Sequence, residues 1–146
     1  MSSLSPSVAR SLVAHGLVVM LLGMLTGFPY ALVVTGSMAG AERAWRMAHL
    51  EGVLNGLMLV AIGAAGDSLA LSARQARWLG WALVVTAYGN WVGATLGAAA
   101  GERGLAPEGP LANFAVYLLF MAAVVAVLFG LSLAAYGAFR RSGAQP

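Results

Sequence analysis

Imidazole and carboxamide side chains are the groups best suited to chemistry in this otherwise apolar chain. His49 and Asn55 lie six residues apart in the segment 45–56, the densest cluster of polar residues within an apolar stretch. A neutral imidazole can bind a metal through one nitrogen, and a carboxamide can orient an oxygen atom without ionising. Polar groups are costly in lipid and usually face the interior of a helix bundle. We therefore treat this segment as the candidate site.

The six-residue spacing separates the two side chains on a helix. Six residues advance an α-helix by about 9 Å and turn it by about 120° in magnitude, so His49 and Asn55 leave by different faces. Both could touch one flat ligand within a subunit only awkwardly, but they could touch opposite sides of ligands shared between subunits. Gly52 and Gly56 lie on the His49 face. They form a small-xxx-small groove that admits either a neighbouring backbone or a flat ring.

Polar residues elsewhere are expected at similar depths. Asn90 is expected between the levels of His49 and Asn55, and Tyr117 about as deep as His49, so these groups could converge on one buried site. Thr86 is also expected near mid-membrane. The ordinary alternative stays open for each, since polar side chains and glycines often serve only helix-to-helix contacts.

The composition indicates a membrane protein rather than a soluble one. The chain has 146 residues, of which 60% are apolar and only 9% charged, against roughly 25% charged in ordinary soluble domains. The net charge of +3 comes from arginine alone, and no basic patch with interleaved aromatic residues indicates nucleic-acid binding. The absence of cysteine excludes disulfides, thiolate metal sites and iron–sulfur clusters.

Four apolar stretches predict the fold, since about 20 apolar residues cross a bilayer as a helix. We predict an all-α integral membrane four-helix bundle in one transmembrane domain, residues 1–146, with helices over 8–34, 44–65, 78–99 and 111–139. The first stretch is too long for a signal-peptide core and is expected to be retained. Pro29 should kink the first helix or end it early. Residues 66–77 and 101–110 are predicted to be loops.

Arginine placement predicts the orientation. The side shared by the N-terminus, the 2–3 loop and the C-terminus has more arginines than the other side, five against three: Arg10, Arg74, Arg77, Arg140 and Arg141 against Arg43, Arg46 and Arg103. The positive-inside rule then favours both termini in the cytoplasm, in a bacterial-type inner membrane. Glu51 is expected to pair with Arg46 or Arg43.

The sequence around His49 resembles the second helix of the styrene oxide isomerase family. That family shows a Trp, an Ala-His pair and a Leu-Asn-Gly-Met pattern with the same His-to-Asn spacing, and this chain has Trp45, Ala48-His49 and Leu54-Asn55-Gly56. Shorter similarities follow in the same order along the chain: His15-Gly16, Gly89-Asn90 with Gly93, and Arg103-Gly104-Leu105.

This resemblance implies a cofactor and an assembly. Family members are four-helix membrane enzymes that form homotrimers and hold haem b, with ferric iron, at the subunit interfaces. The role of axial iron ligand falls on His49. Trp45, Gly52 and Gly56 then fall around the haem.

The resemblance also implies a reaction. A small hydrophobic epoxide, of the styrene oxide type, is converted to an aldehyde by a Lewis-acid Meinwald rearrangement with a 1,2-hydride shift. The role of placing the epoxide falls on Asn55, and Asn90 and Tyr117 are expected as further catalytic residues. No NAD or flavin is needed. Such epoxides partition into membrane lipid, where an intramembrane site would meet them.

Two positions depart from the family pattern and leave the natural substrate open. An Asp of the family's third helix falls at Thr86, and a Tyr that lines its substrate site falls at Thr95. Tyr117 or Tyr88 is a hypothetical replacement for the missing ring.

Two other functions remain open from the residues alone. The first is a non-catalytic haem-binding membrane protein for electron transfer, sensing or haem handling. Electron transfer usually favours two axial ligands, and no obvious second ligand lies at the depth of His49. The second is a small transporter or assembly subunit without haem.

Overall fold

The computed structural model describes residues 3–142, which form four α-helices. The helices are α1 (Pro6–Val34), α2 (Glu42–Ala64), α3 (Ala73–Ala100) and α4 (Leu111–Ser142), and a short 3₁₀ turn (Gly66–Ser68) follows α2. No strand occurs in this range. The predicted all-α, four-helix architecture is confirmed.

Three of the helices, α1, α2 and α4, are long and apolar enough to cross a membrane. The third helix is not among them, because polar residues such as Thr86, Asn90 and Thr95 lower its mean hydropathy. It has 28 residues, about 42 Å at roughly 1.5 Å per residue, which exceeds a hydrocarbon core of about 30 Å. It also packs against each of the other three helices, so its polar side chains have protein neighbours.

The contact between α1 and α2 is made by facing glycines. A Cβ atom on Gly52 would overlap the Gly23 Cα, and a Cβ atom on Gly56 would lie 2.6 Å from the Gly16 carbonyl oxygen. The two backbones therefore touch directly, which is how small residues pack helices in a membrane without a hydrophobic driving force. The close approach brings the α1 backbone within hydrogen-bonding range of α2 side chains.

The start of α3 differs from the predicted one for a local reason, whereas the end of α1 at Val34 agrees with the prediction. The third helix begins at Ala73, inside the predicted loop 66–77, because Ser72 and Gln75 form a capping box. Ser72 Oγ accepts from the Gln75 backbone N–H at 3.3 Å, and Gln75 Oε1 accepts from the Ser72 backbone N–H at 2.9 Å. The first helix continues past Pro29 to Val34, so Pro29 does not end it early.

Backbone hydrogen bonds fasten one end of the bundle. The Leu4 N–H donates to the Gly66 carbonyl at 3.0 Å, and the Ala70 N–H donates to the Gly137 carbonyl at 3.0 Å. The start of the described chain, the 2–3 connection and the end of α4 therefore share one end, as predicted. The side of the membrane that this end faces stays a prediction.

The 3–4 loop is held by Asn113 in the first turn of α4. Its Oδ1 accepts from the Gly104 N–H at 2.9 Å, and its Nδ2 donates to the carbonyls of Ala106 at 2.8 Å and Glu108 at 2.7 Å. Asn113 is buried, with 8% of its surface exposed. A single side chain thus replaces the regular hydrogen bonds that the loop lacks.

Replacing Gly52 with Ala tests the glycine contact. Alanine favours a helix by about 1 kcal/mol over glycine, but here its Cβ overlaps backbone that cannot move aside. We expect a net loss of about 1–3 kcal/mol, measured as lower thermal stability in detergent. Gly80→Ala is the matched control, since its nearest neighbour is a Val8 side-chain carbon at 3.3 Å; it should be neutral or stabilising. Equal stability of the two variants would contradict the proposed contact.

Replacing Asn113 with Ala tests the loop anchor. The variant loses three hydrogen bonds worth about 0.5–1.5 kcal/mol each, so the loop should open more often. We expect faster trypsin cleavage after Arg103, followed by mass spectrometry of the fragments. Leu111→Ala is the control, because Leu111 is 82% exposed. Unchanged cleavage of the Asn113 variant would show that other contacts hold the loop.

Candidate functional site

His49 lies half-buried on the side of α2 that faces α1. Its Nδ1 lies 2.9 Å from the Gly23 carbonyl oxygen. Because a carbonyl can only accept, Nδ1 carries the proton and donates, and in the neutral imidazole Nε2 then has the lone pair. Within residues 3–142, Nε2 has no hydrogen-bond partner. The Tyr30 ring stacks on the imidazole at a centroid distance of 6.4 Å and an interplanar angle of 14°.

Small residues on α1 make room for this imidazole. A Cβ atom on Gly27 would lie 3.3 Å from His49 Nδ1, so a larger residue there would press on the ring. Gly16, Gly23, Gly27 and Tyr30 recur at helical spacing and so share one face of α1. Sequence reasoning missed them, although this recurrence was the signal that could have found them.

Asn55 lies on the α3 side of α2 and is fully engaged there. Its Nδ2 donates to the Glu51 carbonyl at 2.8 Å and to Glu51 Oε2 at 2.7 Å. Its Oδ1 accepts from Asn90 Nδ2 at 3.4 Å. Since both partners of Nδ2 are acceptors only, they fix the orientation of the amide. Asn55 therefore has no N–H left for a ligand while Glu51 holds it.

Glu51 is the polar residue that sequence reasoning placed differently. It was expected to pair with Arg46 or Arg43, but in the described range neither arginine lies within ion-pair distance of it. The i, i+4 spacing places Glu51 and Asn55 on the same face of α2, and the amide is the nearer partner. The candidate site is thus a three-residue network of Glu51, Asn55 and Asn90.

A cavity of about 490 Å³ opens between α2, α3 and the 3–4 loop. This volume lies within the range of small-molecule sites. Small α3 residues and Phe120 of α4 form its apolar wall, and its charged residues are Arg43, Glu51, Glu102 and Arg103. Glu51 therefore belongs both to this cavity and to the network with Asn55.

The predicted site residues divide between two sides of α2. Glu51 follows His49 by two residues, about 200° of helical turn, so the two point in nearly opposite directions. His49 contacts α1, whereas Asn55 contacts Asn90 of α3. The structure brings Asn55 and Asn90 together but does not bring His49 to them within one chain.

Other predicted site residues lie in helix or loop contacts. The surfaces of Gly52 and Gly56 are covered by the α1 backbone and Met20. Trp45 packs with the buried alanines of α2 and α3. Tyr117 lies beside Gly104 of the 3–4 loop and is not among the residues that line the cavity.

The remaining polar residues of the bundle are placed as follows. The Tyr88 hydroxyl lies 3.1 Å from His15 Nδ1 on α1. The Thr86 hydroxyl donates to the Ala82 carbonyl at 2.8 Å and lies 3.4 Å from the Ala123 carbonyl of α4, away from Asn55. The Thr95 hydroxyl is buried without a hydrogen-bond partner in the described range.

Comparison with known proteins gives two consistent matches. Residues 8–139 match the family model described as styrene oxide isomerase. Hydroxylaminobenzene mutase HabB from Ectopseudomonas oleovorans is 34% identical over 131 residues, which cover 80% of this chain and 75% of that protein. Together with the three long apolar helices, these matches indicate an integral membrane enzyme of the isomerase or mutase type. The chain belongs to the styrene oxide isomerase family.

Proposed function

We propose that this chain is a haem b-dependent membrane isomerase that converts aryl epoxides to aldehydes. The observation that carries the proposal is the state of His49. Its Nδ1 is held by the Gly23 carbonyl at 2.9 Å, and its Nε2 is left with a lone pair and no partner in residues 3–142. A backbone carbonyl on the other ring nitrogen is the usual support for a metal-binding histidine.

The available ligands fit a haem. In residues 3–142 no group of three or more His, Asp or Glu side chains could hold a bare metal ion. A porphyrin provides four nitrogen ligands itself and would need only one further ligand from the protein. His49 would be that ligand, with Tyr30 against its ring. When bound, ferric haem supplies a Lewis acid for an electron-rich oxygen of the substrate.

The cavity suits the carbon chemistry of the rearrangement. The epoxide C–O bond opens towards a benzylic cation, and a hydride moves with its electron pair to the neighbouring carbon, so no net redox change occurs. Water would trap that cation as a diol. The wall of small α3 residues and Phe120 provides the apolar surroundings that exclude water. Asn90 is not among the residues that line the cavity; its Nδ2 donates one N–H to Asn55 and has a second that could serve a ligand oxygen beside the network.

A second copy of the chain is needed if one site is to use both sides of α2. His49 faces α1 and Glu51 faces the opposite cavity, so a ligand on His49 can reach a cavity only in a neighbouring subunit. When the His49 side of one subunit meets the cavity side of the next, repeating the same rotation from subunit to subunit can close into a ring. We propose the homotrimer, with haem at its interfaces, as that ring. We place it in a bacterial-type inner membrane with both termini cytoplasmic.

A second candidate substrate is an aryl hydroxylamine. The 34% identical relative is a hydroxylaminobenzene mutase. A mutase moves a functional group within one molecule, and in an aryl hydroxylamine that group would be the hydroxyl. The Glu51 carboxylate at the cavity favours this candidate specifically, because moving a hydroxyl group onto an aromatic ring displaces a ring proton. The epoxide reaction displaces none.

Replacing His49 with Ala tests the haem ligand. We expect wild-type protein, produced with ample haem, to show a Soret absorption band that His49→Ala lacks. His15→Ala is the matched control, since His15 likewise joins two helices of the bundle by a hydrogen bond, in its case α1 and α3, and it should keep the band. A colourless wild-type protein, or a band that survives in His49→Ala, would exclude His49 as the iron ligand.

The substrate is tested by offering both classes to the purified protein. Styrene oxide should give phenylacetaldehyde without any added reductant, as detected by gas chromatography. Phenylhydroxylamine should give an aminophenol if the second candidate is right. Heat-denatured protein and His49→Ala are the controls. Haem binding without turnover of either substrate would leave a non-catalytic haem protein as the function.

A further inference from the structure

We propose that Glu51 is the proton acceptor of the site and directs it towards aryl substrates that carry an N–H group. This inference rests on the second candidate substrate of the proposed function and concerns the same cavity. Neither family resemblance nor relative assigns Glu51 a role. The geometry points to it because Glu51 connects the Asn55–Asn90 network to the cavity.

The two carboxylate oxygens of Glu51 have different surroundings. Oε2 accepts from Asn55 Nδ2 at 2.7 Å, which holds the side chain in place. Oε1 has no hydrogen-bond partner in the range 3–142, and the residue lines the 490 Å³ cavity. A carboxylate that is anchored by one oxygen and open through the other is placed to accept a hydrogen bond from a ligand.

The two candidate reactions make different demands on such a group. In the epoxide rearrangement the hydride moves between two carbons, so no proton passes to the protein. In the hydroxylamine rearrangement the N–O bond breaks and a C–O bond forms on the ring. The ring carbon then loses its proton, and the nitrogen gains one. A carboxylate that takes the ring proton and returns it to nitrogen balances the reaction without any other reactant.

The two amides of the network and the arginines at the cavity do not accept a proton. Asn55 and Asn90 do not accept protons at neutral pH, and Asn55 has both N–H groups engaged with Glu51. The arginines at the cavity, Arg43 and Arg103, carry guanidinium groups, which donate hydrogen bonds and offer no acceptor. Of the network and these arginines, only Glu51 can take a proton. Glu102 is the other carboxylate at the cavity, but within residues 3–142 it makes no hydrogen bond to Asn55 or Asn90. A positioned carboxylate of this kind contributes about 10²–10⁴-fold to a rate.

Glu51→Gln separates proton transfer from positioning. A glutamine Oε1 can still accept from Asn55 Nδ2, so Asn55 keeps its orientation, but the side chain can no longer take a proton. Glu51→Ala removes both properties. Glu42→Gln is the matched control, because Glu42 lies in the first turn of the same helix, is exposed and does not line the cavity.

The first measurement does not depend on turnover. Difference infrared spectra of purified protein are recorded on adding aniline, which has N–H groups, or toluene, which has none. We expect aniline alone to shift the carboxylate bands of wild type and Glu42→Gln, and no such shift in Glu51→Gln. An unchanged wild-type spectrum, or the same shift in Glu51→Gln, would overturn the proposed contact.

The second measurement compares the two reactions. We expect Glu51→Gln to lower phenylhydroxylamine turnover by about 100-fold or more, and to lower it at least about tenfold further than it lowers epoxide turnover. An equal loss for both substrates would show that Glu51 only positions Asn55 and would overturn the inference. A wild-type protein inactive on phenylhydroxylamine would refute the second candidate and the proton transfer with it. The infrared result would still decide separately whether Glu51 binds N–H donors.

Discussion

The direct backbone contact between α1 and α2 is the constraint on which the rest of the structure depends. Gly23 and Gly52 touch without intervening side chains, and only this approach brings the Gly23 carbonyl to 2.9 Å from His49 Nδ1. One contact therefore does two things. It packs two membrane helices by close van der Waals contact, and it sets which imidazole nitrogen is protonated. The hydrogen bonding of the His49 ring is thus decided by the position of its neighbouring helix.

The polar residues of α2 lie on two opposite sides of that helix. On one side the imidazole meets the α1 glycines, and on the other Glu51 and Asn55 meet α3 and the cavity. In lipid, polar groups gain most from partners within the protein, and Asn55 shows the result, since both of its N–H groups are taken by Glu51. Asn55, which the sequence suggested as a ligand-binding residue, is therefore already hydrogen-bonded within the protein. Glu51 is the residue that keeps an oxygen, Oε1, without a hydrogen-bond partner in residues 3–142.

The sequence predicted the helices well and the pairings less well. Apolar runs were enough to find four helices, and the six-residue spacing correctly separated His49 from Asn55 on the helix surface. The start of α3 was missed because a capping box at Ser72 depends on two short polar residues inside a loop-like stretch. Glu51 was expected to form an ion pair with Arg46 or Arg43, but it accepts a hydrogen bond from Asn55, four residues further along the same helix. The partner of His49 is the backbone carbonyl of Gly23. Every residue has such a carbonyl, so this partner could be identified only from how α1 and α2 are aligned.

The hydrogen bonds that fasten one end of the bundle bear on how the chain is made. The Gly66 partner of Leu4 is available once α2 has been synthesised, whereas the Gly137 partner of Ala70 appears only when α4 is nearly complete. The α1–α2 hairpin can therefore form its glycine contact and the Leu4–Gly66 hydrogen bond during insertion, before the later half of the chain arrives. The interface that sets the histidine tautomer is also the one that the nascent chain can form earliest.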